Sequence, residues 1–214
     1  MKTHCPIVVL ISGNGSNLQA LIDHSLHSNY KISAVISNRP NAFGLERAKR
    51  DGIATEVVDH SQYQDRKEFD LALQNCIDKY QPRLVVLAGF MRLLGADFVR
   101  HYSGRLLNIH PSLLPKYPGM HTHQRAIDAG DSEHGVSVHF VTEEMDGGPV
   151  IAQDKVSILP EDNAASLAEK VLEKEHLLYP KVVSWFAADR LQMRDNQALL
   201  DDELLPAGGI QVHP

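Results

Sequence analysis

The amino-acid sequence predicts an α/β fold: a Rossmann-like, mostly parallel twisted sheet with helices on both faces and an antiparallel C-terminal strand addition. Three observations predict it. Short apolar, β-branched runs alternate with helix-forming segments through five units, which is typical of a parallel sheet. A loop that contains Gly13 and Gly15 follows the first run. After Pro111 the pattern changes to an alternation of apolar and polar residues, which indicates antiparallel pairing.

The first half of the chain contains the five predicted strands of the parallel sheet. The run at residues 7–11 is continuously apolar, which indicates a strand covered on both faces. The other predicted strands are residues 32–37, 54–58, 84–88 and 105–110. Helical spacing of apolar residues predicts helices that begin at Leu18 and that span residues 45–50, 67–80 and 97–102.

The second half contains the predicted antiparallel pair. Val136, Val138 and Phe140 alternate with polar residues, and residues 150–158 resemble a partner strand. Helices are predicted at residues 122–129 and 164–186, and the tail at 204–214 is predicted to be mobile. We expect one domain over residues 1–214. Its phosphate- or nucleotide-binding half covers about 1–110, and its loop, hairpin and long helix cover about 111–195.

Composition limits the possible functions. With 214 residues, 43% of them hydrophobic, the chain can bury one sizeable core. A net charge of −6 argues against nucleic-acid binding but allows a small anionic substrate in a locally positive pocket. Two cysteines favour a reducing cytoplasm. No apolar run reaches the roughly 18 residues of a membrane span, and no signal peptide is evident.

The glycine-containing loop at residues 12–17 predicts a phosphate site. It lies between the first strand and the first helix, and a helix N-terminus offers N–H groups and a positive dipole end to an anion. A full dinucleotide fingerprint is absent, because Leu18 replaces the third glycine and no acidic residue follows the second strand at Ser37-Asn38. The loop therefore predicts a phosphate monoester rather than NAD, although glycine could also serve the turn alone.

The end of the fifth strand predicts a catalytic site. Asn108 and His110 are two residues apart, so their side chains project from the same face of the strand. An amide can donate to a developing oxyanion, and an imidazole can move a proton or stabilise the same oxygen as imidazolium. Asp146, before Gly147-Gly148, is the predicted partner that keeps His110 charged. We expect the glycine-containing loop and this strand end to face one crevice.

Other residues leave alternatives open. His121, His123, His134 and His139 are further possible bases. No cysteine or carboxylate cluster completes a metal set, so no metal is predicted, and no nucleophile elbow indicates covalent catalysis. Met91 and Leu94 could form a slot for a flat heterocycle, or they could simply be core residues.

Five segments together resemble one known family: SGNGSNLQALI, AGFMRLL, LLNIHPSLLPKYPG, SVHFVTEEMDGGPVI and KEHLLYP. They resemble the folate-dependent formyltransferases, and within them the phosphoribosylglycinamide formyltransferases of purine synthesis, over residues from about 7 to 193. The Asn-Ile-His-Pro-Ser motif is shared across formyltransferases. The glycine-containing loop and Glu175-His176 narrow the resemblance to this group.

The resemblance implies transfer of a formyl group from 10-formyltetrahydrofolate to the amine of glycinamide ribonucleotide, without a metal. Asn108, His110 and Asp146 match the catalytic residues of the family. The nucleotide is expected to contact Gly15, Ser16, Asn17 and Glu175. The folate is expected to contact Arg66, Met91, Arg92, Leu93, Leu94, Asn108, Thr142, Glu143, Glu144 and Met145. Leu172 departs from a polar residue found in some relatives.

The resemblance also implies which partners the chain binds and which alternative functions compete with formyl transfer to the nucleotide. The expected partners are small molecules, with neither nucleic acid nor membrane, and the chain is expected to be a monomer or weak homodimer. We expect the loop at residues 111–130 to be mobile until ligands bind. A formyltetrahydrofolate hydrolase and a formyltransferase that acts on charged tRNA would use a similar Asn, His and Asp set. A non-catalytic nucleotide-binding module would use the glycine-containing loop alone.

Overall fold

A computed structural model describes residues 4–212 of the chain. Its strands are β1 (Cys5–Ile11), β2 (Tyr30–Ser37), β3 (Ala54–Val57), β4 (Leu84–Leu87), β5 (Leu106–His110), β6 (Glu133–Phe140), β7 (Val150–Ser157), β8 (Leu191–Arg194), β9 (Gln197–Leu200), β10 (Glu203–Leu204) and β11 (Ile210–Gln211). Its α-helices are α1 (Ser16–Ser25), α2 (Phe43–Arg50), α3 (Arg66–Asp78), α4 (Ala96–His101), α5 (Thr122–Asp128) and α6 (Ala164–Ala187). One 3₁₀ turn spans His60–Gln62.

The strands form a mixed sheet of eight, in the order β11-β7-β6-β5-β4-β1-β2-β3, and a separate sheet of three, in the order β10-β9-β8. This architecture confirms the predicted mostly parallel, Rossmann-like fold with an antiparallel addition. The chain forms two compact units, one up to Leu107 and one from Asn108 onward. The single-domain organisation expected from the sequence stays a prediction.

The first unit contains the parallel strands. β1 pairs with both β2 and β4, and β2 pairs with β3, all in parallel. Residues 7–11 of β1 are completely buried, as their continuous apolar run predicts. The loop after β1 carries the predicted phosphate site, so the order of the sheet places this loop at the carboxyl end of an inner strand.

The second unit contains the antiparallel pair. β6 runs antiparallel to β7, with Val138 opposite Ala152, and α6 packs on both strands. An Asn163 cap begins α6: its side chain accepts from Ala165 N–H and Ser166 N–H, and the Ser166 hydroxyl accepts in return from Asn163 N–H. The turn between β6 and β7 contains Asp146, so this hairpin determines where that carboxylate lies.

The structure adds elements that the sequence interpretation omitted. β8 and β9 form a hairpin around Asp195 and Asn196, which both adopt positive φ, at 51° and 56°. Asn and Asp tolerate this conformation, so the pair was a readable hairpin signal between two short strands. β11 pairs in parallel with β7, inside the segment predicted to be mobile. Its mobility stays a prediction, and residues 213–214 lie outside the described residues.

Candidate active site

The end of β5 presents Asn108 and His110 on one face, with the buried Ile109 between them. His110 is 6% exposed, whereas Asn108 is half-buried. Pro111 follows directly and has no N–H to extend the strand pairing. The alternation predicted from the sequence therefore brings an amide and an imidazole together at the end of this strand.

His139, on β6, fixes the orientation of the Asn108 amide. The His139 Nδ1 donates to the carbonyl of Phe140 at 2.8 Å, so its Nε2 is the accepting nitrogen of a neutral ring. The Asn108 Nδ2 donates to that Nε2 at 3.2 Å. Burial of the ring lowers the pKa of His139 to about 4, which keeps the ring neutral near pH 7. One N–H of the Asn108 amide is thus used by His139, and the other can serve a substrate oxygen.

His110 is held at both ring nitrogens. Its Nε2 donates to the carbonyl of Tyr117 at 2.9 Å, and a carbonyl can only accept, so Nε2 carries a proton. Its Nδ1 lies 3.5 Å from Asp146 Oδ2. The predicted pairing of His110 with Asp146 is therefore present in the structure. The Tyr117 carbonyl is a partner that the sequence interpretation missed, because a main-chain group has no signature in the sequence.

Asp146 is itself fixed by main-chain contacts. Its Oδ2 accepts from Gly119 N–H at 2.8 Å, and its backbone adopts φ 52°. Gly148, two residues on, lies so close to the Phe140 carbonyl that a Cβ there would overlap it. The hairpin turn can therefore close tightly only with glycine at 148, and this closure brings the carboxylate to His110.

The rest of the turn is composed of the residues that the resemblance assigns to the folate. Thr142, Glu143, Glu144 and Met145 directly precede Asp146, and Met145 is 57% exposed. Glu175 lies near the middle of α6 and is buried, and Leu172 lies one turn earlier on the same helix. Direct contacts group four side chains of the second unit: Asn108, His110, His139 and Asp146.

The glycine-containing loop of the first unit has the shape expected of an anion-binding turn. Gly15 adopts φ 74° and is the residue from which α1 begins, without a side-chain cap. A Cβ on Gly15 would lie 2.8 Å from the Cα of Gly44, so a side chain there is excluded by space as well as by conformation. The Arg47 guanidinium donates to the carbonyl of Asn14 at 2.9 Å. This cation beside the loop was not predicted.

The segment after β4 contains the other residues assigned to the folate. Met91 and Leu93 are 63% and 57% exposed. The Ser12 hydroxyl accepts from Met91 N–H at 2.8 Å and donates to Asn38 Oδ1 at 2.6 Å, which ties the segment to the end of β1. Met91 is thus not a core residue, whereas Leu94, the other residue of the predicted slot, is half-buried, and the slot for a heterocycle stays a prediction.

Arg66 and Arg92 flank one carboxylate in the first unit. Asp70 accepts from Gly95 N–H at 2.7 Å, and both arginines are close enough to lower its pKa, although burial raises the pKa of Asp70 overall. The Arg92 guanidinium lies 5.0 Å from the centre of the Phe69 ring. Arg66 therefore lies beside the segment that carries Met91–Leu94, and its contact with a folate stays a prediction.

Within residues 4–212, no group of three or more His, Cys, Asp or Glu side chains is placed to hold a metal ion. None of the helices in the same range is long and apolar enough to cross a membrane.

Comparison with known proteins gives consistent results. A family model described as formyl transferase matches residues 5–183. The phosphoribosylglycinamide formyltransferase of Escherichia coli is 56% identical over 205 residues, which are 95% of this chain and 97% of that protein. The human trifunctional purine biosynthetic protein adenosine-3 is 42% identical over 91% of this chain and 20% of its own length. The solved phosphoribosylglycinamide formyltransferase of Coxiella burnetii, in complex with CHES, superposes with a TM-score of 0.95 at 52% identity, covering 98% and 100% of the two chains.

Proposed function

Since the chain belongs to the formyl transferase family, we propose that it transfers a formyl group from 10-formyltetrahydrofolate to the amine of glycinamide ribonucleotide. The observation that carries the proposal is the contact set at the end of β5. Asn108 supplies an oriented amide N–H, and His110 has Asp146 beside its Nδ1. This combination suits a reaction that generates negative charge on a carbonyl oxygen.

We propose the following roles in the chemical step. The substrate amine attacks the formyl carbon, and a C–N bond forms as the carbonyl oxygen becomes negative. Asn108 and the His110 imidazolium stabilise this oxygen, and Asp146 stabilises the positive charge on His110. The negative oxygen then re-forms the carbonyl as the bond between carbon and the folate nitrogen breaks, and one amine proton is transferred to that departing nitrogen. Proton and charge thus balance without a metal, and alignment of the two substrates supplies a large part of the rate.

The proposed nucleotide contacts are Gly15, Ser16 and Asn17 for the phosphate and Glu175 for the ribose. A left-handed glycine at the start of α1 and the Arg47 guanidinium beside the loop both favour an anion there. The buried Asn17 is the second residue of α1, where a side-chain amide can join main-chain donors.

The folate is proposed to contact Arg66, Arg92 and three apolar side chains of the same segment, Met91, Leu93 and Leu94. In the second unit, Asn108 and the turn residues Thr142, Glu143, Glu144 and Met145 are its proposed contacts. Exposed, flexible methionine and leucine side chains fit a flat heterocycle. The arginines suit the carboxylates of a folate tail. We also propose that the protein is cytoplasmic, because its two cysteines are too few for a disulfide framework.

A two-substrate assay tests this function. Purified protein with 10-formyltetrahydrofolate and glycinamide ribonucleotide should yield formylated nucleotide and tetrahydrofolate in equal amounts. Tetrahydrofolate release at the same rate without the nucleotide would contradict transfer and identify a hydrolase. Nucleotide binding without any turnover would identify a binding module.

Two substitutions test the assigned roles. His110→Ala and Asp146→Asn should each reduce kcat by about 10²-fold or more, the range found when one stabilising group is lost, while the Kd for the nucleotide changes little. Asp128→Asn, on the exposed end of α5, is the matched control and should retain full turnover. Turnover close to that of the unsubstituted protein in either site variant would remove that residue from the mechanism.

A further inference from the structure

The main-chain carbonyl of Tyr117 holds the His110 ring in its orientation. Because Nε2 donates to the Tyr117 carbonyl, the proton on that nitrogen is fixed, and Nδ1 is left to face Asp146. A shift of the Tyr117 carbonyl would remove the acceptor from the Nε2 proton and allow the ring to rotate away from Asp146. The position of residue 117 therefore controls the ring orientation that the proposed reaction uses.

Tyr117 does not hold that position through regular structure. It lies in the irregular segment between β5 and α5 and adopts φ 55°, a left-handed conformation that is strained for a non-glycine residue. Contacts from elsewhere must compensate for this strain. One comes from the Ser112 hydroxyl, which donates to the carbonyl of Lys116 at 2.6 Å.

Arg125 lies 5.2 Å over the Tyr117 ring, and Asp131 supplies the side-chain hydrogen bond to the Tyr117 hydroxyl. Its Oδ2 accepts from the Tyr117 hydroxyl at 2.8 Å, and the Lys116 ammonium donates to both carboxylate oxygens at 3.0 and 2.9 Å. These hydrogen bonds lower the pKa of Asp131, so the carboxylate stays ionised near pH 7. The residue lies between the end of α5 and the start of β6, and so it connects the irregular segment to regular structure.

We propose that Asp131 is a positioning residue for the proposed reaction, which holds residues 116 and 117 so that the Tyr117 carbonyl keeps its hydrogen bond to His110. Asp131 touches neither substrate nor reacting atoms in this scheme, and it acts on His110 through the Tyr117 main chain. The inference rests on the proposed function for its catalytic consequence, but the contact between Asp131 and the His110 environment can be tested without turnover.

The kinetic test compares graded variants. Asp131→Ala should lower kcat about tenfold and leave the KM for the nucleotide within twofold. Tyr117→Phe removes only one hydroxyl and should lower kcat about threefold. Asp131→Asn keeps an oxygen that can accept from Tyr117 and should recover most of the lost kcat. Asp128→Ala is the control, because its carboxylate lies at the exposed end of α5 and accepts from the exposed Gln124 side chain.

The second readout is the ring proton of His110. In protein labelled with ¹⁵N-histidine, the Nε2 proton should give a slowly exchanging signal that is absent from His110→Asn. Asp131→Ala should broaden or abolish that signal, and Asp128→Ala should leave it unchanged.

The outcomes separate the two hypotheses. Unchanged kcat and an unchanged ring-proton signal in Asp131→Ala would overturn the positioning role. A loss of kcat with the signal intact and a lower Tm would also overturn it, in favour of a purely structural bridge. If the unsubstituted protein transferred no formyl group, the proposed function would fail, and the ring-proton signal would still decide whether Asp131 positions His110.

Discussion

At the scale of single residues, two histidines of the site have different hydrogen-bonding roles. His139 is buried and neutral, and it orients the Asn108 amide by accepting from it. His110 donates from Nε2 to the Tyr117 carbonyl, and its Nδ1 lies 3.5 Å from Asp146 Oδ2. Two imidazoles on neighbouring strands thus serve as an acceptor and as a donor.

A substitution of His139 tests the role of this ring. In His139→Asn, the shorter amide can still donate to the Phe140 carbonyl but offers no group at the former Nε2 position. Asn108 then loses its orienting acceptor, and kcat should fall about tenfold to a hundredfold, because a misdirected donor weakens oxyanion stabilisation. Steady-state kinetics with both substrates measures this. Retention of full kcat would show that Asn108 is oriented without His139.

At the scale of elements, the loop after β1 and the turn between β6 and β7 each contain one position that has room only for glycine. The loop after β1 requires Gly15, both for its φ of 74° and because Gly44 occupies the space of a Cβ. The turn between β6 and β7 requires Gly148 for the same second reason. The close approach at Gly15 determines the position of the main-chain N–H groups at the start of α1. The close approach at Gly148 brings the Asp146 carboxylate to His110.

Substitution of Gly15 should distinguish the cost of its positive φ from the cost of a steric clash with Gly44. Gly15→Ala and Gly52→Ala both place alanine at positive φ, 74° and 68°, which costs about 1 kcal/mol in each case. Only Gly15→Ala adds a collision, because nothing lies within 4 Å of a Cβ on Gly52. The KM for the nucleotide should rise at least tenfold in Gly15→Ala and stay unchanged in Gly52→Ala. Equal KM values in the two variants would argue against a phosphate site in this loop.

The sequence was sufficient for the elements that have strong periodicity. Every predicted strand and helix with stated bounds occurs, and those bounds agree within two residues. The pairing of His110 with Asp146 was also predictable, because the two glycines after Asp146 indicated a tight turn. The Tyr117 carbonyl was not, since any residue supplies a carbonyl. The role of His139 was missed because its neutrality follows from burial, which a single sequence does not report.

At the scale of the whole molecule, buried histidines link folding to pH. His134 and His139 are almost completely buried, and burial lowers the pKa of each to about 4. Burial also lowers the pKa of His123, whose Nδ1 lies 3.2 Å from His134 Nε2. The unfolded rings take up protons near pH 6.5, so protons favour the unfolded chain between pH 6.5 and 4.

The free energy of unfolding should therefore decrease as the pH falls from 6.5 towards 4. Because the pKa falls from 6.5 to about 4, each of His134 and His139 should lower the free energy of unfolding by roughly 3 kcal/mol once its unfolded ring is fully protonated. Asp70 opposes it slightly, because its raised pKa favours the folded state as the pH falls. Urea denaturation at pH 7, 6 and 5 measures the slope, and His139→Asn should reduce it. A free energy that does not vary over this range would contradict the neutral state of both rings.

The contacts at residues 117 and 119 have a consequence for how this protein can vary. The Tyr117 main-chain carbonyl accepts from His110, and the Gly119 main-chain N–H donates to Asp146. Such groups are common to nearly all amino acids, so these two contacts constrain the spacing from His110 rather than the residue types between. Single insertions or deletions at residues 111–116 should be far less tolerated than most substitutions there, and relatives should keep this length even where they change its residues.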